Sequence, residues 1–389
     1  MKNKDINKSR PIVSYACHPL QKMFNFTGRS FMFLLLNNEE LQHFTLPRTQ
    51  DFISKYLIPF KDKYSTLDKP YEILSLSYDV KNMYTELPHD MIIQSLHWVL
   101  DSSSKTRFGR HKRVNLLKTG RNGVRFQRSG GTFSLSFNQL LEFASFDLNN
   151  VFFTLGSTIL KQIIGIPMGS PLSPALAIII CAYAEHNFLS SIHDFKLLSA
   201  CRYMDDLHVG VIITPITKKS YKKAFKILMQ SQNIYPKTLT LEPTGSGSTD
   251  FLESSITYSK SAVQVRYFSK NKDFLTSSKD LKFYRFQPYY SFRPIAQIKG
   301  TLIGAFLRLT QHSDSQDSAF LSGLELISEL ILLSYPVRIL KRVMIQMISR
   351  NPDPLWSKLL LFIKSIPSDL SISDINSYIS TKRTSLTNR

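Results

Sequence analysis

Three aspartates have the residue types and the spacing of a phosphoryl-transfer site. Asp205 and Asp206 are adjacent in the segment YMDD, and Asp79 lies much earlier, in the segment SLSYDV. Carboxylate oxygens are the ligands that Mg²⁺ prefers, and two divalent ions about 4 Å apart can hold the attacking and leaving oxygens of a phosphate in line. These residues predict a site for two Mg²⁺ ions, with Mn²⁺ as an alternative, if the strands that carry them lie side by side.

The segments around the aspartates have the patterns of strands. Residues 72–80 (EILSLSYDV) alternate apolar and polar positions, which predicts a strand that ends near Asp79, and Pro88 then opens a predicted helix. Residues 201–213 (CRYMDDLHVGVII) have β-type residues on both sides of the acidic pair. The pair is therefore expected at or beside a hairpin turn.

The segments between these strands predict further helices and strands. Residues 101–131 are polar and basic, which predicts an exposed loop or hairpin and a candidate nucleic-acid contact. Residues 132–148 are predicted as a helix, and residues 151–161 as two short strands that turn at Gly156. The apolar run at residues 175–184 is shorter than the ~20 residues that cross a bilayer, so it predicts a buried helix.

The last third of the chain is predicted to be mostly helical. A helix is expected over residues 218–230, followed by strands over 250–258 and 262–268 that are joined by a turn at 259–261. Beyond residue 290 the apolar periodicity is helical, and one predicted apolar face consists of Val337, Leu340, Val343, Met344 and Met347. The C-terminal third is therefore predicted to be a basic helical bundle.

The charge balance of the chain indicates a polyanionic partner. The 389 residues include 49 Lys and Arg against 29 Asp and Glu, and a formal net charge of +20 would destabilise the compact chain by self-repulsion. Nucleic acid and an anionic membrane surface both fit this charge. The N-terminal segment does not have the apolar stretch of a secretory signal, and the three cysteines are too widely spaced for a disulfide framework or a zinc site. An intracellular protein is expected, with a nuclear or organellar location left open.

Four motifs together resemble the reverse-transcriptase family. They are RPIVS at residues 10–14, DVKNMYTELP at 79–88, GIPMGSPLSP at 165–174 and YMDD at 203–206, in the order in which the family has them. The similarity extends over roughly residues 10 to 345. The segments NNVFFTLGSTILKQ, DFLESSITY and LLSYPVRIL favour the Penelope-like retroelement branch, which is related to telomerase catalytic subunits.

The resemblance implies an α+β fold, a right-hand polymerase with an antiparallel-sheet palm, partial fingers and an all-helical thumb. The fingers are expected to be partial because a long N-terminal region and a further basic motif, both usual in the family, are not recognisable before RPIVS, and a GIY-YIG nuclease domain is not recognisable either. The expected divisions are an N-terminal fingers remnant (1–70), a palm segment with the first catalytic aspartate (71–100), a basic fingers or loop insertion (101–131), the palm with the YMDD hairpin and a hairpin like the primer grip (132–274), and a basic helical thumb with a C-terminal tail (275–389).

The resemblance also implies an activity and its partners. The implied enzyme is an RNA-directed DNA polymerase of a retroelement, which extends the 3′ end of a primer with deoxynucleoside triphosphates by two-metal phosphoryl transfer. Its partners would be an RNA template, a DNA primer and dNTPs, with a partner RNA or protein left open and no membrane.

Carried over position by position, the motifs imply roles for individual residues. The implied metal ligands are the carboxylates of Asp79, Asp205 and Asp206 and the backbone carbonyl of Val80. The implied nucleotide-binding residues are Arg10 at the triphosphate, Tyr84 as a steric gate against the ribose 2′-OH, Met168, Gly169, and Lys237 as a proton donor to pyrophosphate. The implied primer- or template-binding residues are Gly165, Pro167, Ser170, Phe251, Leu252, Ser259 and Lys260.

Other interpretations of these residues stay open. An acidic pair in a turn is common at solvated surfaces, and an aromatic such as Tyr84 at a strand-to-helix turn often packs in a core. A viral RNA-dependent RNA polymerase usually has Gly where Met204 stands, and a group II intron maturase shares the PLSP loop but matches RPIVS less well. The functional alternatives are a domesticated or decayed retroelement protein that binds nucleic acid without polymerising, and a maturase-like reverse transcriptase.

Overall fold

The chain divides into two compact units. A computed structural model of the chain describes residues 12–65, 71–107, 109–117, 123–128, 132–192, 198–243, 249–258, 263–269, 271, 275, 281–366 and 381. The first unit, here called the sheet unit, comprises Ser9–Thr49 and Asp68–Thr244. The second, here called the helical unit, comprises Met1–Lys8, Gln50–Leu67 and Gly245–Arg389.

Helices and strands alternate through the sheet unit, and residues 295–365 of the helical unit form consecutive helices. In the ranges given above, the α-helices are α1 (Gln21–Leu36), α2 (Ile58–Ser65), α3 (His89–Lys105), α4 (Phe137–Asn149), α5 (Ser173–Ser191), α6 (Lys218–Ser231), α7 (Ile295–Gln311), α8 (Gln316–Leu332), α9 (Val337–Arg350) and α10 (Pro354–Ser365). The strands are β1 (Glu72–Lys81), β2 (Arg113–Leu117), β3 (Val124–Arg125), β4 (Thr132–Ser136), β5 (Phe152–Leu155), β6 (Thr158–Lys161), β7 (Leu198–Tyr203), β8 (Asp206–Ile213), β9 (Thr240–Pro243), β10 (Thr249–Phe251), β11 (Ser254–Tyr258) and β12 (Val263–Tyr267).

A four-stranded antiparallel sheet is the centre of the sheet unit. Its strand order is β7-β8-β1-β9, so β8 and β1 are the two inner strands. They pair along their length, from Glu72 opposite Ile213 to Asp79 opposite Asp206. Residues of β8 after Asp206 are buried on both faces, as is usual for an inner strand covered by helices. The predicted strand at 72–80 and the predicted hairpin at 201–213 are confirmed.

Helix α5 lies at the core of the sheet unit because it is apolar all round. Leu176, Ala177 and Ile179 are completely buried, and Ile180 is nearly so. A helix with apolar residues on every face is stable only when other elements surround it. The predicted buried helix at 175–184 is confirmed, as are the helix after Pro88 and the helix at 218–230. No helix in the part of the chain that the structure describes is long and apolar enough to cross a membrane.

A second, three-stranded sheet has the order β3-β2-β4. The hairpin predicted within residues 101–131 is present as β2–β3. Its predicted exposure is wrong for β2, because Val114 and Leu116 are completely buried. The prediction of a helix over 132–148 is also partly wrong, because residues 132–136 form β4 and the helix begins at Phe137. The hydroxyl of Ser136 accepts a hydrogen bond from the N–H of Gln139, and this capping box sets the start of α4.

A two-stranded hairpin, β5–β6, turns at Gly156 as predicted. Gly156 has a φ of 61°, in the left-handed region that favours glycine. Large apolar side chains on the hairpin are exposed, among them Phe152 at 54% and Ile159 at 71%.

Residues 295–365 of the helical unit form four helices in succession, α7 to α10, as the periodicity predicts. On α9, four residues of the predicted apolar face are buried, and Val337 packs against the same core while partly exposed. Arg338, Lys341 and Arg350 of the same helix are at least partly exposed, so α9 is both amphipathic and basic.

A small antiparallel sheet, β10-β11-β12, precedes these helices. The predicted single strand over 250–258 is wrong, because the chain turns at Leu252 and Glu253 and residues 249–258 form two antiparallel strands. Leu252 has a φ of 56°, which an extended strand does not allow. The predicted connecting turn at 259–261 lies outside the described residues.

Candidate active site

The three aspartates lie at one end of the central sheet. Asp79 in β1 is directly opposite Asp206 in β8, and the backbone N–H of Val80 donates a 2.8 Å hydrogen bond to the carbonyl of Asp205. Residues directly opposite in an antiparallel pair place their side chains on the same face, with Cβ atoms about 5 Å apart. The register of β1 and β8 therefore brings together carboxylates from distant parts of the sequence.

A two-residue turn presents Asp205. Tyr203 and Asp206 are paired at the end of the β7–β8 hairpin, and Met204 and Asp205 connect them. Met204 has a φ of 54°, a conformation that costs a non-glycine residue roughly 1–2 kcal/mol. The side chain of Asp205 is exposed, so this strained turn holds one carboxylate in solvent.

A buried ion pair supports the turn. Arg202 and Glu185 have completely buried side chains, and their charged groups form an ion pair. Arg202 also donates to the carbonyl of Met204 at 3.0 Å and to the hydroxyl of Thr45 at 2.9 Å. The hydroxyl of Tyr235 donates to Glu185 at 2.8 Å. A buried charge is costly unless it is paired and hydrogen-bonded, so this network holds Arg202, and with it the carbonyl of Met204, in one position.

A lysine ammonium lies against the first aspartate. Lys81 forms an ion pair with Asp79, and its Nζ is 3.4 Å from Oε2 of Glu242 in β9. The hydrogen bond to Asp79 raises the pKa of Lys81. Glu242 is directly opposite Asp79 in the β1–β9 pair, so Asp206, Asp79 and Glu242 form a row across three strands. This row is an anionic surface that already attracts one cationic group.

The donor atoms of this row suit a hard divalent cation such as Mg²⁺, which prefers carboxylate oxygens. Within the described ranges, no group of three or more His, Cys, Asp and Glu side chains is already placed to hold a metal ion. The backbone positions of Asp79 and Asp206 are fixed by the sheet, whereas their side chains can rotate to face a metal ion. Because the ammonium of Lys81 is paired with the carboxylate of Asp79, metal binding at this row would require Lys81 to leave Asp79.

Tyr84 lies in the turn after β1, close to Asp205. Burial, and then the negative charge of Asp205, raise the pKa of its hydroxyl. The carbonyl of Tyr84 accepts a 2.8 Å hydrogen bond from the N–H of Ile166. Gly165 has a φ of 77°, and a Cβ there would lie 2.6 Å from the carbonyls of Tyr84 and Thr85. The loop that begins at Gly165 therefore packs directly against the turn that contains Tyr84. Only glycine, which has no Cβ, allows the two backbone segments to lie this close.

The segment around Val13 crosses the same loop. The N–H of Val13 donates a 2.8 Å hydrogen bond to the carbonyl of Met168. A Cβ at Gly169, which has a φ of 130°, would lie 2.0 Å from the carbonyl of Val13. Met168 is partly exposed and Gly169 is exposed, so this part of the loop can be reached by a ligand. Arg10, three residues before Val13, lies outside the described residues.

Asp147 in α4 anchors the end of the loop. Ser170 donates to its carboxylate at 2.6 Å and Tyr15 donates at 2.8 Å. Asp147 is 2% exposed, and burial raises its pKa. The hydroxyl of Ser170, predicted to contact primer or template, is thus engaged inside the protein, and Pro167 is also buried.

The other predicted residues lie in segments that carry none of the three aspartates, or outside the described residues. Lys237 is exposed between α6 and β9. Phe251 is buried in the helical unit, where its ring centroid is 4.9 Å from that of Phe52, and Leu252 follows in the turn. Ser259 and Lys260 lie outside the described residues. The predicted ligand contacts of these residues stay predictions.

Sequence reasoning missed the groups that support the aspartates, namely Arg202, Glu185, Lys81 and Glu242. Two signals were available, because Lys81 follows Asp79 by two residues in one strand, and Glu185 directly follows the apolar run at 175–184 in α5. A charge at such a position requires a buried partner. The partner itself could not be read from the sequence, since it lies in another element.

Comparison with known proteins shows a similarity of structure but none of sequence. No protein-family model matches the sequence, and no curated protein is significantly similar to it. A telomerase from Candida albicans, in complex with a TWJ fragment of telomeric RNA, superposes with a TM-score of 0.52 at 13% identity, covering 93% of this chain and 58% of that chain. The fold is telomerase-like. An apo telomerase from Candida tropicalis gives a TM-score of 0.46 at 13% identity, covering 95% of this chain and 60% of that chain.

The telomerase likeness confirms a mixed helix and sheet fold with antiparallel sheets. The chain spans less than two thirds of the length of the telomerase chains that it resembles. At 13% identity the likeness concerns the fold alone, so activity has to be argued from the site.

Proposed function

We propose that the chain is an RNA-directed DNA polymerase that extends a primer 3′ end with dNTPs. The observation that carries this proposal is the β1–β8 register, which sets Asp79 opposite Asp206 and ties the backbone of Val80 to that of Asp205. Three carboxylates on adjacent strand ends are the arrangement that phosphoryl transfer with divalent ions requires. The telomerase-like fold and the net charge of +20 are consistent with a nucleic-acid partner.

Two Mg²⁺ ions are the proposed cofactors. The carboxylates of Asp79, Asp205 and Asp206 would hold them, with the backbone carbonyl of Val80 as a further oxygen ligand. When bound, the ions would neutralise the negative charge that develops on the transferred phosphate. The strained turn and its support by Arg202 would keep Asp205 and Asp206 in place during this transfer.

Tyr84 is the residue proposed to discriminate between the deoxyribose and the ribose of an incoming nucleotide. Its partly buried ring lies near Asp205, next to the loop that carries Met168 and Gly169. A ring held at this place would collide with a ribose 2′-OH and leave room for a deoxyribose. The proposed product is therefore DNA, and the resemblance carried by NNVFFTLGSTILKQ, DFLESSITY and LLSYPVRIL makes a Penelope-like retroelement the proposed source.

Primer extension tests the proposal. The purified chain is given an RNA template, an annealed DNA primer, dNTPs and Mg²⁺, and product length is measured on a gel. The double substitution Asp205→Asn and Asp206→Asn should remove extension by at least about a thousandfold, because electrostatic stabilisation of the transferred phosphate is lost. Asp101→Asn, an exposed acid on α3, is the matched control and should leave extension unchanged. Wild-type chain that binds the primer–template and extends nothing would refute the proposal.

A second candidate is a protein that binds nucleic acid without polymerising. The observation that favours it is Lys81, whose ammonium occupies Asp79 where a metal ion would have to bind. In such a protein Lys81→Met would not create activity or Mg²⁺ binding. If the polymerase proposal is right, Mg²⁺ should displace the ammonium in the wild-type chain, and Mg²⁺ titration should shift the NMR signals of Asp79 and Lys81 together.

A further inference from the structure

Helix α6 carries two parallel rows of side chains on its outer surface. The first is a row of exposed lysines at intervals of four residues, Lys218, Lys222 and Lys226. The second is an apolar row with the same spacing, Tyr221, Phe225 and Met229. In the apolar row Phe225 is 61% exposed and Met229 is 45% exposed. Residues four apart lie above one another on a helix, so the two rows run side by side over about 12 Å.

Helix α6 lies against the face of the central sheet that is opposite to the aspartate side chains. The hydroxyl of Tyr221 donates a hydrogen bond to the carboxylate of Glu72 at the start of β1. Glu72 precedes Asp79 by seven residues in a strand whose pairing with β8 is regular, so their side chains are on opposite faces of the sheet. Ile227, on the core side of α6, belongs to the same hydrophobic core as Ile213, which is paired with Glu72. The two rows therefore belong to a different surface from the proposed metal site.

The lysine row is unfavourable for α6 taken alone. The N-terminal end of a helix favours acidic residues, yet the first turn of α6 contains Lys218 and no acidic residue. Like charges four residues apart also repel each other. Between residues 207 and 241 the sequence has six lysines and no Asp or Glu. Within the described ranges no carboxylate forms an ion pair with the three lysines of the row. An acidic partner would relieve the repulsion.

The arrangement of the two rows fits an α-helix better than a membrane or a strand of nucleic acid. Lys222 points away from the core, because it lies on the opposite side of α6 from the buried Ala224 and Ile227. A flat lipid surface would meet the lysines and leave Phe225 and Met229 to one side. Met229 also has no ring on which a base could stack. A helix with an acidic row beside an apolar row, both repeated every four residues, matches both rows. A second copy of α6 does not match, since it has no acidic row.

We propose that the outer face of α6 is a docking surface for an acidic amphipathic helix of a partner protein. The carboxylates of that helix pair with Lys218, Lys222 and Lys226, and its apolar residues cover Phe225 and Met229. Aromatic residues and methionine are enriched where proteins meet, and charged residues surround such contacts. This surface goes beyond the proposed polymerase activity and does not depend on it.

The probe is a synthetic peptide of about 20 residues, long enough to form a helix, with a row of Glu beside a row of Leu, each repeated every four residues. A second peptide has the same composition in a shuffled order that breaks both rows. Binding of each labelled peptide to the full chain is measured by fluorescence anisotropy in about 0.1 M salt. The ordered peptide should bind about tenfold more tightly than the shuffled peptide, because only it places both rows in contact. Equal binding of the two peptides would overturn the proposal.

The lysine row is tested by the triple substitution Lys218→Gln, Lys222→Gln, Lys226→Gln. It should weaken binding of the ordered peptide about tenfold and make the remaining binding less dependent on salt, since three exposed ion pairs are lost. The matched control removes three exposed lysines from other parts of the sheet unit, by Lys22→Gln, Lys112→Gln and Lys161→Gln. The control has the same net charge and should change binding less than about twofold. Equal losses in the two triple variants would show general charge attraction and overturn the proposal.

The apolar row is tested by the double substitution Phe225→Gln, Met229→Gln. It should weaken binding of the ordered peptide about tenfold while the salt dependence stays constant, because apolar contact is lost and no ion pair is lost. The control removes two exposed apolar residues from the β5–β6 hairpin, by Phe152→Gln and Ile159→Gln, and should change binding less than about twofold. Thermal unfolding followed by circular dichroism checks that the variants stay folded. Wild-type affinity in the Phe225→Gln, Met229→Gln variant would overturn the proposal.

Vesicles of phosphatidylserine and phosphatidylcholine, and a short single-stranded RNA, test the other two classes of partner. The variant of the lysine row should bind both of them within about twofold of the wild-type chain, because the rest of the basic surface remains. A loss of vesicle or RNA binding as large as the loss of peptide binding would assign the surface to a membrane or to nucleic acid and overturn the proposal. The peptide assays contain no nucleic acid and no dNTPs, so their outcome stands apart from any failure of primer extension.

Discussion

Tyr84 gives the proposed polymerase its most direct test at the scale of one residue. The backbone of Tyr84 is held by the packing of Gly165 against its carbonyl, and its side chain is only partly exposed, so the proposed gate has a fixed base next to Asp205. Tyr84→Ala should therefore raise incorporation of ribonucleotides relative to deoxynucleotides by about ten- to a hundredfold, since a steric clash of a few kcal/mol is removed. The measurement is single-nucleotide insertion with matched dNTP and NTP.

Tyr84→Phe is the control for this test, because it keeps the ring and removes only the hydroxyl. It should retain the discrimination of the wild-type chain. If Tyr84→Ala leaves the sugar selectivity unchanged, the ring of Tyr84 has a packing role and does not act as the steric gate.

The β7–β8 hairpin depends, at the scale of an element, on the ion pair between Arg202 and Glu185. Arg202→Met would leave Glu185 buried without its cation, which costs about 3–5 kcal/mol of the free energy of unfolding. It would also remove the donor to Met204, so primer extension should fall in the fraction that stays folded. Urea unfolding measures the first effect.

The double variant Arg202→Met, Glu185→Gln separates charge from packing. It should recover part of the lost stability, because the unpaired carboxylate is no longer buried, while the turn still has no donor at Met204 and extension stays low. A double variant that is less stable than Arg202→Met would contradict this account of the network.

Elements such as these show what the sequence can and cannot predict. The alternation in residues 72–80 and the β-type residues around Asp205 depend on a local period of two, so the strand and the hairpin were predictable. The contact of Lys81 with Asp79 is local, because the two residues are two positions apart in β1 and share a face, whereas the row that includes Glu242 depends on which strands pair and in which register. Pairing between distant segments has no local signature. At Leu252, a single residue with a positive φ interrupts the strand that is predicted over residues 250–258.

The stability of the molecule should depend on pH through two buried histidines of the described residues, His208 and His312. Burial lowers the pKa of His208 in the sheet unit to about 3, and burial also lowers the pKa of His312 in the helical unit. In the unfolded chain both titrate near 6.5, so below that pH the unfolded state binds more protons than the folded state. Stability is therefore complete above about pH 6.5 and falls at lower pH, by up to about 1.4 kcal/mol per pH unit for each histidine.

Urea unfolding at pH 7.5, 6.5 and 5.5 measures this dependence. His312→Gln should make the fall below pH 6.5 shallower for the helical unit, whereas His97→Gln on the exposed face of α3 should not change it. Stability that is constant from pH 7.5 to 5.5 would contradict the burial of these rings.

The strand order β7-β8-β1-β9 has a consequence for how the sheet opens. Amide protons at the edges of a sheet exchange with solvent through small local openings, whereas those between inner strands are released only by larger ones. The pairing of Asp79 with Asp206 belongs to the two inner strands, β1 and β8. Fraying of β9 or of the far end of β7 therefore leaves the alignment of these two aspartates intact, whereas Asp205, in the turn between β7 and β8, depends on the hairpin end.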